Sequence, residues 1–276
     1  MMLNHPDTQP SLSNSTNFFT AGGGDTLVEE RPLGRDREPH LHGRSYYERN
    51  PRRYPPIRYV REDTLRAVSL QARISKRCFD IIAALVLGIL AIPLIAVIAI
   101  WVKLDSPGNV FFSQMRPGRY GKRFKIYKFR TMHIDAEQRF ARLSPELRAE
   151  FEQYGKIKND PRITRAGYWL RRLSLDELPQ LWNVLRGEMS LIGPRPEQVP
   201  FVHEFSKEIP FYSWRHRVKP GVTGWAQVQQ GYTSGLEDTM IKLEYDLYYV
   251  KHVSFWLDLF IALKTVWIMV TGWGAK

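Results

Sequence analysis

Acidic residues are the scarce charge in this chain: Asp and Glu number 28 against 40 Lys and Arg, a formal net charge of +12 over 276 residues. Such an imbalance suits anionic partners, whether nucleic acid, acidic lipid or a phosphorylated substrate. Cysteine is almost missing. Cys78 alone excludes an internal disulfide and permits a reducing compartment, and at the edge of an apolar run it reads as a small packing residue rather than a nucleophile. There is no P-loop and no G-x-G-x-x-G, so neither a Walker nor a Rossmann loop would hold a nucleotide. Zinc-ligand spacing is absent because the histidines are scattered, and His40 and His42 sit in a loose polar segment that assigns them nothing. No secretory signal peptide is visible at the start.

Charge is also absent from Ile81 to Val102. A straight helix of that length reaches about 33 Å, enough for a bilayer core. Pro93 lies near its middle, where it removes a backbone hydrogen bond and bends a helix. Both flanks are basic, with Arg73, Lys76 and Arg77 before and Lys103, Arg116 and Arg119 after. The preference of cytoplasmic flanks for Lys and Arg puts both ends on one side, as in a helix that enters, breaks at Pro93 and returns. A plain single span is the competing reading.

Upstream, residues 1–70 are rich in Pro, Ser, Asn, Gly and Arg without an apolar period and read as a disordered basic extension. Downstream, Val110-Phe111-Phe112 and Phe124 to Arg130 predict two short strands joined by the turn-rich Arg116-Pro117-Gly118-Arg119-Tyr120-Gly121. A polar helical segment follows from about Ala136 to Tyr154, restarted at Ser144-Pro145-Glu146. Gly193-Pro194-Arg195-Pro196 and Pro220-Gly221-Val222-Thr223-Gly224-Trp225 mark rigid loops. From Ser254 to Gly272 an apolar stripe at three-to-four spacing, flanked by Trp256, Trp267 and Trp273, predicts an amphipathic helix, either in a membrane interface or packed on the protein's own core. The resulting fold class is α+β, mainly helical, with a short β-hairpin. The divisions are an extension over 1–70, a membrane-inserted helix over 71–104 and a domain over 105–276.

The chemistry-bearing stretch is Arg171-Arg172-Leu173-Ser174-Leu175-Asp176-Glu177-Leu178-Pro179-Gln180-Leu181-Trp182. Two adjacent carboxylates stand beside two arginines where a helix with apolar spacing begins. The positive end of the helix dipole and unpaired N–H groups there favour the ionised carboxylate, which suits attack on phosphorus or metal binding. Ser174 and Glu177 equally form S-x-x-E, a capping box needing Glu177 for structure alone. On strand spacing Lys128 and Arg130 share a face, and with Arg171 and Arg195 they could form a phosphate clamp; a solvated basic face is the alternative. Pro194 and Pro196 stiffen the backbone around Arg195. Asp246 lies in a helical stretch, where a surface ion pair would explain it equally well.

The motifs Lys128-Phe129-Arg130-Thr131-Met132, Ser174-Leu175-Asp176-Glu177-Leu178-Pro179-Gln180, Gly193-Pro194-Arg195-Pro196 and Pro220-Gly221-Val222-Thr223-Gly224-Trp225 resemble those of the bacterial sugar transferases, the monotopic polyprenyl-phosphate hexose-1-phosphate transferases. The resemblance runs from about Ser75 to Lys276 and leaves residues 1–70 outside; the larger members' extra upstream membrane helices have no counterpart here. It implies transfer of hexose-1-phosphate from a UDP-hexose to undecaprenyl phosphate, releasing UMP, as the priming step of a surface glycan such as exopolysaccharide. The implied nucleophile is Asp176, forming a phosphosugar–aspartyl intermediate, with Glu177 holding Mg²⁺. Lys128, Arg171, Arg195 and Asp246 match positions near the substrate or important to it, whereas Arg130 is added from strand geometry. Membrane lipids are implied partners, at the cytoplasmic face of the bacterial inner membrane; oligomeric state, a homodimer included, is left open. One departure is Ile92 before the kink proline, where small family members often carry Ser. A non-catalytic, membrane-anchored protein binding acidic lipid or polysaccharide is the alternative; it would need the cations but not Asp176. Nucleic-acid binding suits the charge and the 13% aromatic content but gives no reason for the apolar segment, so nucleic acid is set aside.

Overall fold

In the computed structural model, residues 70–154, 157–230 and 236–271 are described. Apart from Leu70, the expected extension over 1–70 lies outside them. Helix α1 (Leu70–Asp105) is the longest element and carries Pro93 inside it. Pro93 lies within this one helical element, at a point where a proline removes a backbone hydrogen bond and bends a helix. Among the described residues, its Arg73–Asp105 stretch is long and apolar enough to cross a membrane. Ile82, Leu85, Val86, Ile89, Leu90, Ile92 and Val97 are exposed along it. Cys78 is exposed too, rather than packed.

Strands β1 (Phe111–Pro117) and β2 (Arg123–Phe129) pair antiparallel, with Phe112 opposite Lys128, Gln114 opposite Ile126 and Arg116 opposite Phe124. One face therefore carries Gln114, Arg116, Ile126 and Lys128 together. The polar helical segment divides into α2 (Ala136–Ala141) and α3 (Pro145–Tyr154). Helix α4 (Arg165–Arg172) starts at Thr164, whose hydroxyl accepts from the Gly167 N–H at 3.0 Å and satisfies one orphan donor of the first turn. After a 3₁₀ turn at Leu175–Glu177 comes α5 (Gln180–Arg186), closed by Gly187 in the left-handed region.

The remaining elements are β3 (Ser190–Ile192), α6 (Val199–Glu208), a 3₁₀ segment (Tyr212–Arg217), β4 (Gly221–Thr223), α7 (Trp225–Gln230), α8 (Leu236–Lys251) and α9 (Phe255–Thr271). Strands β3 and β4 pair in parallel, so the expected rigid loop Pro220–Trp225 contributes a strand of its own. Glycine is required at this crossing by close approach: a Cβ on Gly193 or Gly221 would overlap backbone atoms of the other segment.

Both flanks of the apolar run in α1 dock on the same domain. Ala84 packs with Phe124, Ile126, Val184 and Met189, while Ile98 and Val102 pack with Phe129, Ala166 and Leu170. Polar contacts fix the first flank. Buried Asp80 accepts from the Ser190 hydroxyl at 2.9 Å and the Leu191 N–H at 3.0 Å, and Arg77 donates to the Val184 and Leu185 carbonyls at 2.6 and 2.8 Å. Lys76 donates to Asp258 of α9 at 2.6 Å, and Asp258 also accepts from the buried Tyr249 hydroxyl at 2.7 Å. Helix α9 turns Asp258 and Ile261 inward and leaves Phe260, Leu263, Val266, Trp267 and Val270 exposed, so its outer surface is apolar.

Candidate active site

The turn preceding α5 is built differently from a helix cap. Ser174 has φ +55° and its side chain makes no capping bond. Glu177 turns its carboxylate to cations instead, so the capping box suggested by S-x-x-E is not formed. Lys128, on β2, donates to Glu177 Oε1 at 2.7 Å and lies 3.8 Å from Asp176 Oδ2. Arg195 holds both Glu177 oxygens, one through Nη1 at 2.9 Å and the other through Nη2. Such two-pronged pairing fixes orientation as well as charge. Asp176, Glu177, Lys128 and Arg195 thus form one cluster drawn from three segments distant in sequence.

The electrostatics separate the two carboxylates. Burial works against ionising Glu177, but Arg195 and Lys128 more than offset it and hold the carboxyl far below its usual range. For Asp176 the balance runs the other way. Burial raises its pKa; Lys128 opposes, Glu177 adds to the rise, and Arg171 and Arg195 do not cancel it. The expectation that a helix dipole would favour the ionised form is therefore corrected: Asp176 belongs to a short 3₁₀ turn and loses more by desolvation than it gains. Lys128 is lowered, chiefly by burial and then by Arg195.

Arg171 flanks the cluster from the last turn of α4, with Nε donating to Thr131 Oγ1 at 2.8 Å. Arg130 does not join it. Its guanidinium donates to the carbonyls of Ser106 at 2.7 Å, Val102 at 3.3 Å and Pro107, across the C-terminal end of α1. Unsatisfied carbonyls and the negative end of that helix draw the cation away from Lys128, so the shared strand face predicted for the two is not realised. Asp246 is also placed elsewhere than at the surface: it is 1% exposed and receives Arg215 Nε at 2.9 Å and Nη2 at 2.6 Å. Burial opposes the Arg215 charge, but Tyr212, Asp246 and Glu197 overcome it and push the pKa up. Arg215 in turn donates to the Arg195 carbonyl, so Asp246 acts on the cluster from behind.

Beside the cluster lies a cavity of about 140 Å³, lined by Arg116, Lys128, Arg195, Pro196, Glu197 and others. Asp176 is outside the lining and meets it through Lys128. Neither Arg116 nor Arg215 was singled out as a site residue by motif; the hairpin register, which puts Arg116 and Lys128 on one face, was the available signal for the first. For a metal, Asp176 and Glu177 are the carboxylates at hand, and among the described residues no group of three or more His, Cys, Asp or Glu forms a protein-only site. That donor set fits a hard dication such as Mg²⁺, which binds through one or two carboxylates and completes its shell with substrate phosphates and water.

Comparison with known proteins shows what the chain is similar to. A family model described as bacterial sugar transferase matches residues 71–272. A UDP-N-acetylgalactosamine-undecaprenyl-phosphate N-acetylgalactosaminephosphotransferase of Aeromonas hydrophila is 49% identical over 201 residues, covering 73% of this chain and 45% of that protein. A UDP-glucose:undecaprenyl-phosphate glucose-1-phosphate transferase of Escherichia coli K12 is 42% identical over 196 residues, 70% of this chain and 40% of that one. An undecaprenyl-phosphate galactose phosphotransferase of Salmonella typhimurium is 39% identical over 210 residues, 74% and 42%. The chain spans less than half the length of these curated relatives.

Proposed function

Because the chain belongs to the bacterial sugar transferase family, we propose that it moves a hexose-1-phosphate from a UDP-sugar to undecaprenyl phosphate, with Asp176 as the nucleophile. The observation that carries this reading is the pairing of unlike carboxylates. Glu177 is locked ionised by hydrogen bonds from Arg195 and Lys128, while Asp176 beside it meets Lys128 through a longer ion pair of 3.8 Å at Oδ2. A purely structural carboxylate would be expected to take the hydrogen bonds that Glu177 has taken.

In the first step an Asp176 carboxylate oxygen attacks the sugar-bearing phosphorus. The bond from that phosphorus to the bridging oxygen breaks, and UMP leaves with the electron pair. In the second step an oxygen of undecaprenyl phosphate attacks the same phosphorus and the aspartyl oxygen departs, restoring the carboxylate. Lys128 and Arg195 stand where charge on the transferring phosphoryl group is met by fixed cations. Glu177, with Asp176 at hand, would hold Mg²⁺, which would supply further neutralisation of the diphosphate charge.

One substrate is lipid and the other soluble, which requires a site at a bilayer surface. The docking of both α1 flanks on one domain supports re-entry from the cytoplasmic face of the inner membrane: a full span would separate Asp80 from Val102 by about 33 Å of hydrocarbon, yet both touch the same domain. The apolar outer surface of α9 supports an interfacial position for the tail. In a Cys78→Ala background, Arg73→Cys and Lys103→Cys should both be labelled by an impermeant thiol reagent from the cytoplasmic side; labelling from opposite sides means a span.

The reaction itself is tested by UMP release with undecaprenyl phosphate and Mg²⁺ across UDP-N-acetylgalactosamine, UDP-glucose and UDP-galactose, the sugars carried in the relatives' names. One of them should turn over and Asp176→Asn should abolish it while membrane association is kept. Equal turnover by the variant rejects the covalent route.

A further inference from the structure

Arg116 is a cation of the site cavity without a carboxylate of its own. It projects from the end of β1 on the hairpin face that carries Lys128, and lines the same cavity as Lys128 and Arg195. Its Nη2 donates to the neutral Gln114 side chain at 2.8 Å, and its Nη1 reaches the Pro196 carbonyl at 3.4 Å. Its Nε is buried and makes no hydrogen bond, and no described carboxylate lies within ion-pair distance. The other charges there are committed: Glu177 to Lys128 and Arg195, and Glu197 to Lys242. A half-buried guanidinium left in this condition is short of anionic and acceptor oxygens. Burial, with Arg195 adding, brings its pKa down to about 10 although Glu197 and Glu177 oppose this, so at neutral pH it still carries its charge.

Position selects which anion. Arg116 lines the cavity together with Lys128 and Arg195, whereas Asp176 is outside the lining and meets it through Lys128, 3.8 Å away. Lys128 thus stands between the nucleophile and the cavity that holds Arg116. In a displacement at phosphorus the leaving oxygen departs opposite the attacking one. Resting on the reading of Asp176 as nucleophile, we infer that Arg116 binds the phosphate of the departing nucleotide, and so contributes to the nucleotide half-reaction and not to the lipid half-reaction. The cavity of about 140 Å³ has room for a phosphate group, with the nucleoside outside it. Arginine suits this place because its planar fork can present Nε and an Nη to two phosphate oxygens at once, which lysine cannot.

The test uses the full chain in nanodiscs and compares Arg116→Gln and Arg116→Lys with wild type. Three quantities are read: the affinity for UDP, the KM for the UDP-sugar and the KM for undecaprenyl phosphate. Loss of one charge-assisted contact should weaken UDP binding and raise the UDP-sugar KM about 10- to 100-fold in Arg116→Gln. The undecaprenyl phosphate KM and the unfolding temperature should stay near wild type, and Arg116→Lys should recover part of the loss. Unchanged UDP affinity in Arg116→Gln, or equal losses toward both substrates with a lowered unfolding temperature, overturns the inference while wild-type UMP release keeps the proposed reaction intact. Inorganic pyrophosphate serves as the second probe. If wild type releases no UMP from any UDP-sugar yet binds pyrophosphate through Arg116, the anion site stands and the reaction falls. If it does neither, both fall.

Discussion

Arg215 donates from Nη2 to the main-chain carbonyl of Arg195 at 2.9 Å, so a fully buried cation holds the loop that presents the cation gripping Glu177. Pro194 and Pro196 limit that loop from both sides. Asp246 fixes Arg215, and Tyr212 receives its Nη1 at 2.9 Å. The placement of Arg195 is thus set by a chain of bonds that begins in α8.

Asp246→Ala should leave the Arg215 guanidinium buried and unpaired, at a cost of about 3–5 kcal/mol. A large fall in the thermal unfolding midpoint is the expected readout. The Arg215→Met, Asp246→Leu double variant should regain much of that stability, because replacing both partners by apolar groups removes the uncompensated charge. UMP release should not return with it, since Arg195 loses the donor that holds its carbonyl. Full activity in the double variant would show that the pair takes no part in placing Arg195.

The pH profile follows from the raised Asp176 carboxyl. The nucleophile must be ionised, so kcat/KM is lost as pH falls through its pKa, and the acid limb should lie above that of an ordinary aspartate. Lys128 is the largest influence pulling this pKa down. Lys128→Met should therefore move the acid limb to higher pH as well as slow the reaction. An unmoved limb would assign it to another group.

Lys76 and Asp258 join α1 to α9 by a largely buried ion pair. Asp258→Ala should strip the Tyr249 hydroxyl of an acceptor and leave Lys76 unpaired, lowering the unfolding midpoint and raising protease sensitivity of α9. Reversing the pair with Lys76→Asp and Asp258→Lys should restore part of the loss. No difference between single and reversed variants would rule out the pair as the tie between the two helices.

Gly167 packs so closely on Thr131 that a Cβ would overlap its backbone. Gly167→Ala should cost about 1–3 kcal/mol by overpacking and also shift the hydroxyl that anchors Arg171. Thr131→Val separates these effects: it removes the anchor without the clash. Both variants should lose UMP release, and only Gly167→Ala should lose substantial stability.

Much of this was readable from residue pattern. The length and lack of charge of 81–102 gave α1, alternation around a Gly-rich turn gave the β1–β2 hairpin, and the motifs gathered Lys128, Asp176, Glu177 and Arg195. Local pattern failed where a distant partner decided the outcome. Arg130 obeys the end of α1, not its own strand, and Ser174 adopts a left-handed backbone where a cap was predicted. Asp246 is not a surface carboxylate because Arg215, 31 positions away, pairs with it inside the domain. Strands β3 and β4 are three residues each, too short to show alternation, and are defined by glycine contacts between two loops. The direction of the Asp176 shift depends on burial, which spacing does not reveal.

Incubating the protein with the turned-over UDP-sugar and Mg²⁺, without undecaprenyl phosphate, and then measuring intact and peptide masses tests the Asp176 assignment most directly. The expected result is one added hexose phosphate on the peptide containing Asp176, absent from Asp176→Asn and removed when undecaprenyl phosphate is supplied. An adduct on another residue, or turnover in the Asp176→Asn protein, would contradict it.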